Sequence, residues 1–168
     1  MHRYLLALSL LALTVALSAC GSRHAPAVPS GTLAQIRAEY GPLAYVPTSL
    51  PRGFIFTSWR IEDPPFEYLQ PILEITFGDN GVLLKWTVFD KRDTNDPNVS
   101  TGGDCSAHPI ASYSRNIHGK QVYYLAANHG DSAWTCATPD VGVGLWAENA
   151  PGRPSPPTIM RMVSTASH

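Results

Sequence analysis

Between residues 73 and 88 the sequence leaves little choice of local structure. Leu73, Ile75 and Phe77 alternate with Glu74 and Thr76, and after Asp79-Asn80-Gly81 the residues Leu84, Trp86 and Val88 alternate with Lys85 and Thr87. Alternation with a period of two puts one set of side chains on each face of a strand. Asn and Gly tolerate the positive φ that a two-residue hairpin turn requires. The segment therefore predicts an antiparallel hairpin with one apolar and one polar face.

The remainder of the chain extends this pattern. Phe54 to Ile61, Gln121 to Ala126, Ser132 to Ala137 and Val141 to Ala147 are rich in branched, aromatic and small apolar residues and read as further strands. His129-Gly130-Asp131 and Pro139-Asp140 read as the turns between the last three. Ser30-Gly31-Thr32 offers caps for a short amphipathic helix over Leu33 to Tyr40, stopped by Gly41-Pro42. After a Pro-rich hinge from Pro151 to Pro157, Thr158 to Ser167 suits a terminal helix burying Ile159, Met162 and Val163. The fold class is α+β: a meandering antiparallel sheet with a short helix near each end.

The N-terminus has a different character. Met1-His2-Arg3 precedes a nearly uninterrupted apolar run from Tyr4 to Leu17, followed by small residues up to Cys20. A basic start, a short apolar segment and a small-residue cleavage site describe a secretory signal. The run is shorter than the roughly 20 residues that a membrane-spanning helix needs. Leu17-Ser18-Ala19-Cys20 resembles the lipobox of bacterial lipoproteins. The resemblance implies cleavage before Cys20 and attachment of a diacylglycerol, with palmitate-like chains, to its thiol. Two acyl chains suffice for stable anchoring. Residues 1–19 then form a lipoprotein signal peptide, 20–31 a lipid-anchored tether of small residues, Pro and Ser, and 32–168 one extracytoplasmic domain. The expected location is the cell membrane or an outer membrane, on the extracytoplasmic face.

Removal of Arg3 with the signal takes the net charge from −1 to −2, with 11 basic and 13 acidic residues remaining. Such a chain offers no basic footprint for nucleic acid. Its four Trp, six Tyr and five Phe are enough for one core. The compartment permits disulfides, and Cys105 and Cys136 are the two cysteines left once Cys20 is lipidated. Their pairing is the natural expectation, since the spacing fits neither a redox Cys-x-x-Cys nor a zinc ribbon.

Tyr45-Val46-Pro47 through Leu50-Pro51-Arg52-Gly53-Phe54 is similar to the Leu-Pro-x-Gly-aromatic opening of several bacterial extracytoplasmic domains. These include lipoproteins of unknown function and domains related to the lipoprotein-carrier and sigma-regulator sensor folds. The Val/Trp-rich last strand and the short helix carrying Ser164 are similar as well. The chain lacks the long run of early strands that builds the apolar half-barrel of the carriers, so the resemblance does not extend to their lipid cavity.

Candidate chemistry is sparse. His108, His118 and His129 have no pair spacing suited to a metal, so no metal or other cofactor is expected. His129-Gly130-Asp131-Ser132 places a base, an acid and a hydroxyl close in sequence, but a triad requires convergence in space and an oxyanion hole. The acidic and amide cluster Asp90, Asp93, Asn95, Asp96 and Asn98 lacks the Glu that closes a calcium loop, and Asx turns account for it. Glu62-Asp63 is the only adjacent carboxylate pair, and neighbouring strand residues diverge. Gly142-x-Gly144 lies within a strand pattern rather than ahead of a helix.

The aromatics carry more information. Tyr123 beside Tyr124, Phe89 beside Val88 and Leu83 beside Leu84 require that one of each pair leave the main core. A partly apolar outer face calls for helix cover, the favoured reading, or a binding patch containing Tyr123, Phe89 and Trp146. The expected function is that of a non-catalytic envelope lipoprotein, held to the membrane through Cys20, that binds an envelope protein or an apolar ligand. The alternative is an envelope hydrolase using the His/Asp/Ser cluster at 129–132, with His129 or His118 as base.

Overall fold

A computed structural model describes residues 26–63, 71–90 and 111–168. Cys20, Cys105, His24, His108, Phe66, Tyr68 and the 91–103 loop lie outside the described residues. Within them the chain forms one seven-stranded antiparallel sheet and two α-helices. Helix α1 spans Ser30–Tyr40 and runs into a single 3₁₀ turn, Gly41–Leu43. Strands β1 (Ile55–Glu62), β2 (Ile72–Asp79), β3 (Val82–Asp90), β4 (Tyr113–Ile117), β5 (Lys120–Ala127), β6 (Gly130–Thr138) and β7 (Val141–Glu148) follow. Helix α2 (Pro156–Ser164) comes last.

The spatial order is β1-β2-β3-β7-β6-β5-β4. The expected single meander is thus two meanders, β1–β3 and β4–β7, closed against each other where the last strand pairs with the third. Trp86 opposes Leu145 and Val88 opposes Val143 across this junction. The two most apolar strands become central, buried neighbours, and the polar β4 is left at an edge.

The predicted hairpin forms as read. Phe77 opposes Leu84 and Ile75 opposes Trp86, with Asn80 and Gly81 at φ 45° and 86° in the turn. Leu73, Ile75, Phe77, Leu84, Trp86, Val88, Val143 and Leu145 are all buried on one face. Both helices contribute to that same core, α1 through Ile36 and α2 through Ile159, Met160, Met162 and Val163.

Three polar contacts fix the N-terminal segment over this face. The Tyr40 hydroxyl donates to the Val88 carbonyl (2.9 Å), the Trp86 indole to the Tyr45 carbonyl (2.9 Å), and Val46 exchanges two backbone hydrogen bonds with Ser167. The two ends of the domain are thereby joined through one short bridge.

Several expectations need correction. Ser30 is the first helical residue, following Pro29, and no side chain caps α1. Ala27 and Val28 are buried, so the packed domain begins inside the span assigned to the tether. Asn128-His129 makes the β5–β6 turn, while Gly130 and Asp131 already belong to β6. Strand β4 carries no strand signal in the sequence, because Tyr-Ser-Arg-Asn-Ile has no apolar alternation, as suits an exposed edge. Its connection to β5 is the two-residue turn His118-Gly119, with φ 52° and 78°.

Candidate functional site

The helix-covered face is filled with side chains, so the other face of the sheet holds the candidate site. One row of residues crosses the whole sheet on that face: Arg60, Glu74, Thr87, Gly144, Trp134, Tyr123 and Ser114. The row changes character half-way. Over β1–β3 it is ionic: Arg60 Nη2 lies 2.9 Å from Glu74 Oε1, Lys85 Nζ lies 3.7 Å from Glu74 Oε2, and Arg60 also pairs with Glu62. Glu74, expected on a wet face, is buried beneath these partners.

Over β5–β7 and the end of β3 the same face is aromatic. Tyr123 stacks on Trp134 with ring centroids 5.8 Å apart and planes 13° from parallel. Phe89 lies over Gly142, where a Cβ would run into its ring, and the Trp146 indole lies over Gly130. Glycine is used at both positions because backbone and ring approach too closely for any side chain. Thr87, Phe89, Ser132, Trp134, Gly144 and Trp146 line a shallow cleft of about 200 Å³.

The structure thus brings Tyr123, Phe89 and Trp146, the three residues predicted as a patch, onto one face with Trp134. The pairwise reading holds as well. Val88, Leu84 and Tyr124 are buried on the helix side, and their neighbours point away. Among the described residues, both helices, α1 and α2, pack on the opposite side of the sheet, and neither covers this face. Cys136 also projects here, opposite Gly142. Its expected partner, Cys105, lies outside the described residues.

The His/Asp/Ser cluster does not assemble. Asp131 and Ser132 are consecutive residues of β6 and point to opposite faces. Asp131 turns toward the helix side, where Arg153 Nη1 approaches to 2.6 Å and the Tyr124 hydroxyl donates to its carboxylate. Burial, and then Asp131 itself, raise the pKa of Tyr124. His129 remains exposed in the turn.

His118 does meet a serine, with its Nδ1 3.2 Å from Ser164 Oγ. The Ser164 hydroxyl donates to the Arg161 carbonyl at 2.7 Å, so its oxygen accepts from a protonated Nδ1. In that arrangement the histidine is a donor and the buried hydroxyl is no nucleophile. Among the described residues no three of His, Cys, Asp and Glu cluster as metal ligands would, and no helix is long and apolar enough to cross a membrane.

What sequence reading missed is the Arg153–Asp131 pair. Its one signal is an arginine in the Pro-rich hinge, Pro151-Gly152-Arg153-Pro154, where rigid backbone aims a long side chain at the sheet. No known protein family and no curated protein matches the chain.

Proposed function

We propose that the mature chain is a membrane-anchored envelope lipoprotein, lipidated at Cys20, whose sheet domain is non-catalytic and binds a protein partner through its aromatic face. The observation that carries this reading is the gathering of Tyr123, Phe89, Trp134 and Trp146 on the face away from both helices. Aromatic residues with few charges between them are the composition of interface centres. The clefts are shallow and the helix-side core is filled, which favours a protein partner over carriage of an apolar ligand.

The same reading places the domain on the extracytoplasmic side of the cell membrane or an outer membrane, where Cys105 and Cys136 pair. That bond ties the segment preceding β4 to the aromatic face, because Cys136 projects from it. A pull-down of the Cys20-anchored protein from membranes, with mass spectrometry of co-purifying proteins and lipids, tests the proposal. A protein retained by the native chain and lost on Trp146→Ala supports it. Consistent recovery of the native chain alone contradicts it.

A further inference from the structure

The end of the sheet at which the described chain begins has a surface character found at neither the ionic nor the aromatic half. Pro26, Leu50, Pro51, Phe54 and Ile55 line an open apolar groove of about 330 Å³. Ile55 is 69 % exposed and Leu83 38 % exposed. The two oppose Gly78 from either side, and so form one exposed aliphatic row across β1, β2 and β3. Arg52 is exposed beside the groove, and an adjoining cleft behind Leu50 and Pro51 is edged by the exposed Arg161. The acidic group here is Asp79, held by the Asn80 amide at 2.8 Å and tucked beneath Gly53.

Chain length says what this surface faces. Pro26 forms part of the groove wall, and Ala27 and Val28 immediately after it are buried. Cys20 lies six residues before Pro26. Even fully extended, six residues reach only about 20 Å. A lipid on Cys20 therefore holds the groove-bearing end of the domain at the bilayer rather than letting the domain roam.

We propose that this end, through Ile55, Leu83 and the Leu50-Pro51 wall, docks onto the lipid bilayer that holds the Cys20 anchor. The inference rests on the lipoprotein reading. Exposed aliphatic side chains enter the boundary between headgroups and acyl chains. Arginine stems lie along apolar surface while their heads stay among the headgroups, which suits Arg52 and Arg161 at the rim. Docking fixes the orientation of the sheet on the membrane: Ile55 and Leu83 project from the same face as the aromatic cluster, at the end near the β2–β3 turn, so that end of the face meets the bilayer.

The test uses the processed full-length protein in vesicles of phosphatidylcholine with phosphatidylglycerol, and the full-length Cys20→Ser chain free in solution. Mass spectrometry first establishes whether Cys20 carries lipid. Amide hydrogen exchange is then compared over 50–56 and 82–83. On vesicles these amides slow by about fivefold or more, local protection of the kind exchange resolves. Ile55→Asp with Leu83→Asp abolishes the slowing while the central amides of Val143 to Leu145 stay protected, which shows an intact fold.

Equal exchange in a lipidated, vesicle-bound protein overturns the docking surface and leaves the anchor standing. An unlipidated Cys20 overturns both. Slowing in the free Cys20→Ser chain that grows with protein concentration assigns the groove to a second copy instead, and also overturns the proposal.

Discussion

Arg153 Nη1 lies 2.6 Å from Asp131 Oδ2, and the Asp131 side chain is only 2 % exposed. A carboxylate so placed is tolerable only while it is paired, because an isolated charge out of water is costly. The hinge between β7 and α2 is held to the sheet by this contact, and α2 covers β5, β6 and β7 from there. Tyr124 adds a second donor from the neighbouring strand.

Arg153→Met is accordingly expected to destabilise the domain by about 3 kcal/mol, the low end for breaking a buried pair, since Tyr124 still donates. Asp131→Asn costs less, because the amide oxygen can accept from Tyr124 and the guanidinium left without its carboxylate belongs to Arg153, whose side chain is 32 % exposed and reaches water. Urea unfolding of the three proteins measures this. A change below about 0.5 kcal/mol for Arg153→Met, the size of an ordinary surface substitution, contradicts the assignment.

Much of the fold is visible in the sequence where one physical signal acts alone. The β2–β3 hairpin is such a case, with alternation, turn chemistry and burial all agreeing. The terminal helix is another, since Pro156 and Pro157 open it and Ile159, Met162 and Val163 recur on one side. Strand β4 shows the opposite limit: at a sheet edge its residues bury almost nothing, so no period marks them. The strand order was illegible for a different reason. Local alternation states that β3 and β7 are apolar, but their pairing is a long-range choice made by burial of both. In the candidate site, the split of Tyr123 from Tyr124 and of Phe89 from Val88 follows from alternation alone. That Phe89 rests over Gly142 and Trp146 over Gly130 needs the register.

Two glycines of differing surroundings provide a matched test. A Cβ at Gly130 would come within 2.6 Å of both the Ala147 carbonyl oxygen and Trp146 Nε1, while nothing lies within 4 Å of one at Gly31. Gly130→Ala is expected to cost about 1–3 kcal/mol through forced shifts. Gly31→Ala in the exposed first turn of α1 should stabilise by about 0.5 kcal/mol through helix propensity. Thermal unfolding of both distinguishes the two signs, and a neutral Gly130→Ala would mean that the indole does not lie there.

Alkaline unfolding reads out two tyrosines. Burial raises Tyr40 to about 12, against a weaker opposing hydrogen bond from the Leu73 backbone, and burial together with Asp131 raises Tyr124. Each folded-state pKa lies above its unfolded value of 10.0. Their contribution is therefore complete below pH 10 and is lost as pH climbs toward 12 and beyond, where the unfolded chain releases the proton first. Lys120, half-buried with its ammonium donating to the Ala166 carbonyl, is lowered by burial and works the other way, its cost to stability disappearing as pH rises. Tyr40→Phe should flatten the fall in stability above pH 10, while costing about 1 kcal/mol at neutral pH for the lost bond to Val88. An unchanged alkaline slope contradicts the burial argument.

The proposed Cys105–Cys136 bond has a simple consequence. Reduction should lower stability by roughly 3.5 kcal/mol, the chain-entropy value for a loop of this length. Denatured, unreduced native protein should show no free thiol, because Cys20 carries lipid and the other two cysteines are paired, and Cys105→Ser should abolish the effect of reductant. Two reactive thiols in the unreduced, lipidated protein contradict the pairing.

The central claim is that Cys20 holds this sheet domain to a membrane, and metabolic labelling with a palmitate analogue tests it most directly. The account predicts that the native chain takes up the label and runs with the membranes, and that Cys20→Ser abolishes both. Label that survives Cys20→Ser, or a native chain that is never labelled and is recovered free of membrane, contradicts it.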